Sequence, residues 1–204
     1  MREDLKDRLV SVVVEKARSL PAESKTMKIR YLSYGALEAG LPDIARSPRD
    51  RGTLELIVRR PSSGRREVLD AGTLDVDEGL VGDRWSAGKR RRVNQLTLIN
   101  ARLIALVAQT RERWALAGDQ LYVNFDLSRA HLPAGTRVAI GAAEIEVSPE
   151  PHMGCRLFRE RFGDDAQRFV NSGVGLEWQL RGINAWVVKT GVVRVGDEVR
   201  ALGE

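Results

Sequence analysis

Residues Arg137-Val138-Ala139-Ile140-Gly141-Ala142-Ala143-Glu144-Ile145-Glu146-Val147 read as a β-hairpin. Apolar and polar side chains alternate on either side of Gly141, and a period of two sends one face of each strand to a core. Similar short runs recur on both sides of this hairpin. Thr53-Leu54-Glu55-Leu56-Ile57-Val58 is answered by Arg66-Glu67-Val68-Leu69-Asp70 across the turn Pro61-Ser62-Ser63-Gly64. Gln95-Leu96-Thr97-Leu98-Ile99, Leu121-Tyr122-Val123-Asn124-Phe125-Asp126 and Ile183-Asn184-Ala185-Trp186-Val187-Val188 add three more strands. A glycine turn at Gly191 then leads to a last strand at residues 198–200. Many short strands with few helices predict a closed or nearly closed β-barrel, mainly β with flanking helices (α+β).

Helices are expected at the margins. Residues 4–19 place Leu5, Leu9, Val12, Val13 and Ala17 on one stripe, although Val12-Val13-Val14 is a poor helical run, and Pro21 closes the segment. Ser33 caps a short helix that ends at Gly40, and a second short helix runs over residues 42–45 to cover a barrel end. Asn100 caps a helix reaching about Thr110, with Leu103, Ile104 and Val107 inward. Two more short helices follow Cys155, the second near residues 164–170. The chain thus divides into a helical N-terminal extension, residues 1–27, and a barrel domain, residues 28–204.

The 204 residues suffice for one good core, and 43% hydrophobic with 30% charged residues is an ordinary globular balance. No apolar run is long enough to cross a bilayer, and the charged start Met1-Arg2-Glu3-Asp4-Leu5-Lys6 is unlike a secretory signal. A single cysteine forms no internal disulfide, so a cytoplasmic setting is expected. The net charge of +5 favours anionic partners such as phosphates, pterins, nucleotides or nucleic acid, without choosing among them. Lys89-Arg90-Arg91-Arg92 is a basic run, but no aromatic interleaving or recognition motif accompanies it, which argues against nucleic acid and for a solvated loop.

The hairpin runs on into Ser148-Pro149-Glu150-Pro151-His152-Met153-Gly154-Cys155-Arg156-Leu157-Phe158-Arg159-Glu160-Arg161-Phe162-Gly163, which holds the only cysteine. A thiolate is the nucleophilic and metal-binding form of cysteine, and it is favoured beside a helix N-terminus and guanidinium groups. The competing reading is a small buried apolar residue. His152 is either a general acid beside Cys155 or, as loop histidines usually are, solvated; the solvated reading is preferred. Asp83-Arg84 either reaches a ligand or forms a turn locked by its own ion pair. The amides of Asn124 and Asn184, on strands, need either a ligand or a neighbouring carbonyl. The four tryptophans read as core or rim. One cysteine and two histidines make no convincing zinc site. No Ser-His-Asp arrangement or phosphate-binding glycine loop is evident.

Three segments, in order, carry a resemblance. They are Gly79-Leu80-Val81-Gly82-Asp83-Arg84-Trp85, the run from Ile145 through Cys155 to Gly163, and Arg181-Gly182-Ile183-Asn184-Ala185 continuing to Val195-Gly196-Asp197-Glu198-Val199. Together they resemble the MOSC domain over roughly residues 28 to 201. The resemblance implies a MOSC-type barrel associated with the molybdenum cofactor (molybdopterin), or with carrying sulfur to it. It implies Cys155 as the molybdenum ligand and catalytic residue, or as a persulfide carrier. It extends cofactor contacts to Asp83, Arg84, Asn124, Arg156, Arg181 and Asn184. An enzyme of this kind is an oxidoreductase that reduces small N-hydroxylated compounds and meets a redox or sulfur-donor protein. Tyr122-Val123-Asn124 stands where cofactor-holding relatives show an Arg-Pro-Asn-like strand. Gly118-Asp119-Gln120 replaces Gly-Glu-Asn, and Gly154 replaces the usual proline before the cysteine. Three functions follow as expectations: a molybdenum-dependent reductase, a metal-free sulfur carrier, and a non-catalytic basic module built on the Arg90 region and the N-terminal helix.

Overall fold

The computed structural model describes residues 18–19 and 30–203. In chain order the strands are β1 (Arg18–Ser19), β2 (Gly52–Arg59), β3 (Glu67–Leu69), β4 (Ala71–Asp75), β5 (Gly79–Leu80), β6 (Leu96–Asn100), β7 (Leu121–Asn124), β8 (Arg137–Ile140), β9 (Ala143–Pro151), β10 (Ile183–Lys189), β11 (Gly191–Arg194) and β12 (Glu198–Leu202). The α-helices are α1 (Tyr34–Ala39), α2 (Leu41–Ile44), α3 (Ala101–Ala108), α4 (Arg156–Phe162), α5 (Asp164–Val170) and α6 (Gly173–Glu177). Short 3-10 helices span Arg92–Asn94 and Arg111–Ala117.

Seven strands close into a barrel in the order β2-β12-β8-β9-β10-β6-β7, and β7 returns to β2. Closure leaves no barrel edge unpaired. All neighbours are antiparallel except β6 and β7, which are joined by α3 and run parallel. The 137–147 hairpin forms as expected, with Val138 opposite Ile145 and Ile140 opposite Ala143. A separate three-stranded sheet, β11-β4-β5, lies beside the barrel.

Side-chain parity sorts the core into two layers. Leu121 and Val123 of β7 join the barrel interior, whereas Tyr122 between them joins the outer layer with Leu103, Ile104, Val107, Phe158, Phe162 and Phe169 of the helices. On β2 a register shift against β7 between Leu54 and Leu56 breaks the parity, so Leu54 and Ile57, three apart, both face inward. The helices therefore pack on the outside of β2, β6 and β7.

Several expectations need correction. Of the helix expected at residues 4–19, residues 4–17 lie outside the described residues. Arg18 and Ser19 are not helical; they pair with Val68 and Glu67 and extend the free edge of β3. Gly191 does not turn a hairpin. Both edges of β10 are already taken by β9 and β6, so β11 leaves for β4 in the second sheet. The helix after Asn100 stops at Ala108 because Gln109 adopts a left-handed conformation (φ 65°). The Asn100 cap itself is as expected, its side chain accepting from Arg102 and Leu103 N–H. Among the described residues no helix is long and apolar enough to cross a membrane.

Candidate functional site

One end of the barrel gathers the ends of β2 and β9, the approaches to β7 and β10, and the turn after β5. The pairing of β2 with β7 sets Ile57 opposite Leu121, and Val58 N–H donates to Gln120 O (2.8 Å). This register carries Arg60 to the start of β7. Its guanidinium holds the buried Asp83 through Nε and Nη2, both at 2.9 Å, while Nη1 donates to Gly118 O (2.8 Å). Asp83 also accepts the N–H groups of Arg60 (2.9 Å) and Trp85 (3.0 Å). Asp83 is thus locked, as one sequence reading allowed, but its partner is Arg60 and not the adjacent Arg84.

Arg181 enters from the turn before β10. Its Nη1 donates to both oxygens of Asp119, at 3.0 and 2.8 Å, and Nη2 donates to Ala117 O (3.1 Å). Gly182 makes this entry possible: φ is 103°, and a Cβ there would stand 2.0 Å from Leu98 O. Arg161 of α4 donates to Leu116 O (2.8 Å). Three successive carbonyls, Leu116, Ala117 and Gly118, at the end of the 111–117 helix therefore each receive a different guanidinium. Carbonyls left unpaired at a helix C-terminus favour cations in this way.

The surrounding charges are largely desolvated. The Asp119 and Arg181 side chains are 0% and 5% exposed. Burial pushes the Asp119 carboxyl upward, and the guanidinium of Arg181 opposes it. His152 Nδ1 lies 3.5 Å from Asp119 Oδ1 and has no hydrogen-bond partner. Burial, with Arg181 and Arg60 adding to it, holds His152 well below the ordinary imidazole value. It is therefore neutral at pH 7, and its contact with Asp119 is not an ion pair. The expected solvated loop histidine is instead a buried member of the site. Burial also pushes the Tyr122 phenol upward, so it stays protonated and donates to Trp114 O (3.0 Å). The half-buried Arg66 is pulled below its usual value by burial and by Arg161, with Arg84 and Arg60 contributing. The Nε groups of Arg66 and Arg181 are buried without partners. Arg66 thus lies within electrostatic reach of Arg60, Arg84 and Arg161, while Arg60 and Arg181 hold the carboxylates of Asp83 and Asp119.

Cys155 stands at the N-cap of α4 with its side chain exposed. The helix is anchored beneath it by Phe158 and Phe162, whose ring centroids lie 4.9 Å apart, and Arg181 lies over Phe158 at 4.9 Å. Three residues before the cysteine, His152 faces Asp119; six residues after it, Arg161 reaches the 111–117 helix.

Of the residues picked from sequence, Cys155, Arg181, Asp83 and Arg84 come to this end of the barrel. Arg84 is exposed, and its N–H donates to Arg60 O (2.9 Å). Asn124 does not join them: at the far end of β7 its Oδ1 accepts from Arg102 Nε (3.1 Å). Asn184 donates to the Glu150 carbonyl (3.0 Å), the neighbouring-carbonyl alternative. Arg156 is exposed and pairs with Glu160. Sequence reading did not pick Arg60, Arg66, Asp119 or Arg161 as site residues; the hints were the carboxylate of Gly118-Asp119-Gln120 just before a strand and the place of Arg161 in the arginine-rich run after Cys155. In the basic run, Arg91 pairs with Glu150 (2.7 Å) and Arg92 covers Trp186 (5.2 Å). A cleft of about 880 Å³ between residues 30–36 and the junction of α4 and α5 contains neither Cys155 nor His152.

The MOSC domain model matches residues 94–200, a span that includes Asp119, His152, Cys155, Arg161 and Arg181. The chain belongs to the MOSC domain family. Arg60, Arg66, Asp83 and Arg84 lie ahead of the matched span, yet β2 closes the barrel and brings them to the same end. Solved structures share this MOSC fold. The YuaD protein of Bacillus subtilis aligns with a TM-score of 0.54 at 17% identity, covering 76% of this chain and 97% of that one. YiiM of Geobacillus stearothermophilus gives 0.52 at 12% identity, over 74% and 75% of the two chains. YiiM of Escherichia coli gives 0.50 at 20% identity, over 74% and 70%. No curated protein sequence matches the chain.

Proposed function

We propose that this MOSC protein binds a molybdopterin-type cofactor, takes its molybdenum on the Cys155 thiolate, and reduces small N-hydroxylated compounds. One observation carries the reading. An exposed sulfur opens the helix that contributes Arg161 to a guanidinium cluster, and that cluster keeps orphaned, buried N–H groups on Arg66 and Arg181. Such groups cost free energy unless an anion meets them.

The residues fit the group. Thiolate sulfur suits a soft, redox-active metal. Among the described residues no three His, Cys, Asp or Glu side chains cluster to hold a metal, and a metal that brings its own ligands, as in a dithiolene pterin, needs no such cluster. The pterin's phosphate suits the excess guanidinium charge. When bound, the group supplies two-electron redox chemistry. Cys155 would anchor the metal, while Arg66, Arg84, Arg161 and Arg181 would neutralise the phosphate. Asp119 and the carbonyls of residues 116–118 hold Arg161 and Arg181, and Arg60 beside them, in place. Reduction of an N-hydroxyl group to an amine consumes two electrons and two protons and releases water. His152, neutral and buried beside Asp119, would line the site without adding charge to it.

Protein made in a host competent for molybdenum-cofactor synthesis should contain molybdenum and a pterin fluorescent after oxidation. Absence of both, with Cys155 intact, overturns the reading. Exposure of the sulfur also favours a second reading, in which Cys155 carries a persulfide to a partner. A cysteine desulfurase should then add about 32 Da to Cys155; no adduct with any sulfur donor counts against it.

A further inference from the structure

We infer that Asn171 is a positioning residue for Cys155, acting through the backbone of Gly154; this rests on the reading of Cys155 as the reactive group. Asn171, just past the end of α5, holds Gly154 on both sides. Its Oδ1 accepts from Gly154 N–H (2.7 Å) and its Nδ2 donates to Gly154 O (2.9 Å). Gln167 Nε2 donates to the same carbonyl at 3.0 Å. The two peptide groups that flank Gly154 are therefore fixed from α5. On the other side, Cys155 O accepts from Arg159 N–H (3.1 Å). The backbone of Cys155 is held from both directions while its sulfur stays exposed.

Close approach explains the glycine. A Cβ at residue 154 would stand 2.8 Å from Val170 Cγ2 and 3.2 Å from Asn171 Oδ1, so α5 can grip the backbone only where no side chain intervenes. A proline, with no N–H, could not make the bond to Asn171 Oδ1. The clamp fixes the backbone that carries the sulfur at the head of α4. Arg181, 5% exposed and with an unpartnered Nε, lies over Phe158 of the same helix.

The full chain, made without cofactor, contains one cysteine, so alkylation reports Cys155 alone. The readout is the rate with iodoacetate divided by the rate with iodoacetamide, an anionic and a neutral reagent of similar shape. Nearby guanidiniums raise this ratio; Asn171→Ala should lower it at least about threefold as the sulfur loses its fixed position. Gly154 amide exchange should accelerate at least about tenfold while barrel amides are unchanged. Gln167→Ala should change both little, because Asn171 still serves the carbonyl. If Asn171→Ala does not fold, Asn171→Ser is measured in its place with the same expectation. A folded variant at residue 171 with the wild-type ratio and wild-type Gly154 exchange overturns the inference. Because no metal is involved, failure of molybdenum loading in the wild type leaves this result readable.

Discussion

Arg181 and Asp119 are joined by two hydrogen bonds, 3.0 and 2.8 Å long, at the end of the barrel, with almost no exposure of either side chain. The pair ties the entry to β10 to the entry to β7, and it keeps a guanidinium at the site. A buried ion pair adds little net stability over an apolar pair, but breaking one is costly.

Arg181→Ala should therefore destabilise the fold by about 3–5 kcal/mol, because Asp119 is left buried and unpaired. Replacing both residues with leucine should cost less than the single change. Urea unfolding of the three variants checks this, and a loss below about 1 kcal/mol in Arg181→Ala would contradict it.

His152 gives stability a pH dependence of known sign. Its folded value lies below the ordinary imidazole value of 6.5 because burial disfavours the cation. Below pH about 6.5 the unfolded chain binds a proton that the folded chain does not, so stability falls as pH drops from there to the folded value. The slope is at most about 1.4 kcal/mol per pH unit. His152→Gln should remove that slope between neutral and mildly acidic pH. Identical pH profiles for wild type and variant would show that His152 is not buried as described.

Tyr122→Phe tests a single hydrogen bond of the outer layer. The phenol donates only to Trp114 O (3.0 Å), so its loss should cost about 0.5–1.5 kcal/mol. The alkylation ratio of Cys155 should not change.

The basic run offers a further test. Lys89 and Arg90 are exposed, and Arg90 is engaged only locally with Ser86 O. Changing both to alanine should leave molybdenum and pterin content as in wild type. A loss of both on that change would move the cofactor site to this loop.

What could be read from sequence depended on the range of the interaction. Hairpin 137–147, the Asn100 cap and the Ser33 cap depend on residues within a few positions of one another, and they were legible. The crossing of β11 to β4 was not, because it depends on β10 having both edges occupied by strands distant in sequence. Cys155 stood out as the only cysteine in a turn before an arginine-rich helix. Its companions were hidden: Arg60 finds Asp83 23 residues away and Arg181 finds Asp119 62 residues away. Those meetings follow from barrel register and closure, which no local pattern encodes. The burial of His152 was hidden for the same reason, since its neighbours come from the approach to β7 and from the turn before β10.

The central claim is a bond between the Cys155 sulfur and molybdenum. X-ray absorption at the molybdenum edge, on protein from a cofactor-competent host, measures it most directly when wild type is set beside Cys155→Ser. The expected result is one more sulfur neighbour in the wild type than in the variant. The same number of sulfur neighbours in both would contradict the assignment of Cys155 as a metal ligand.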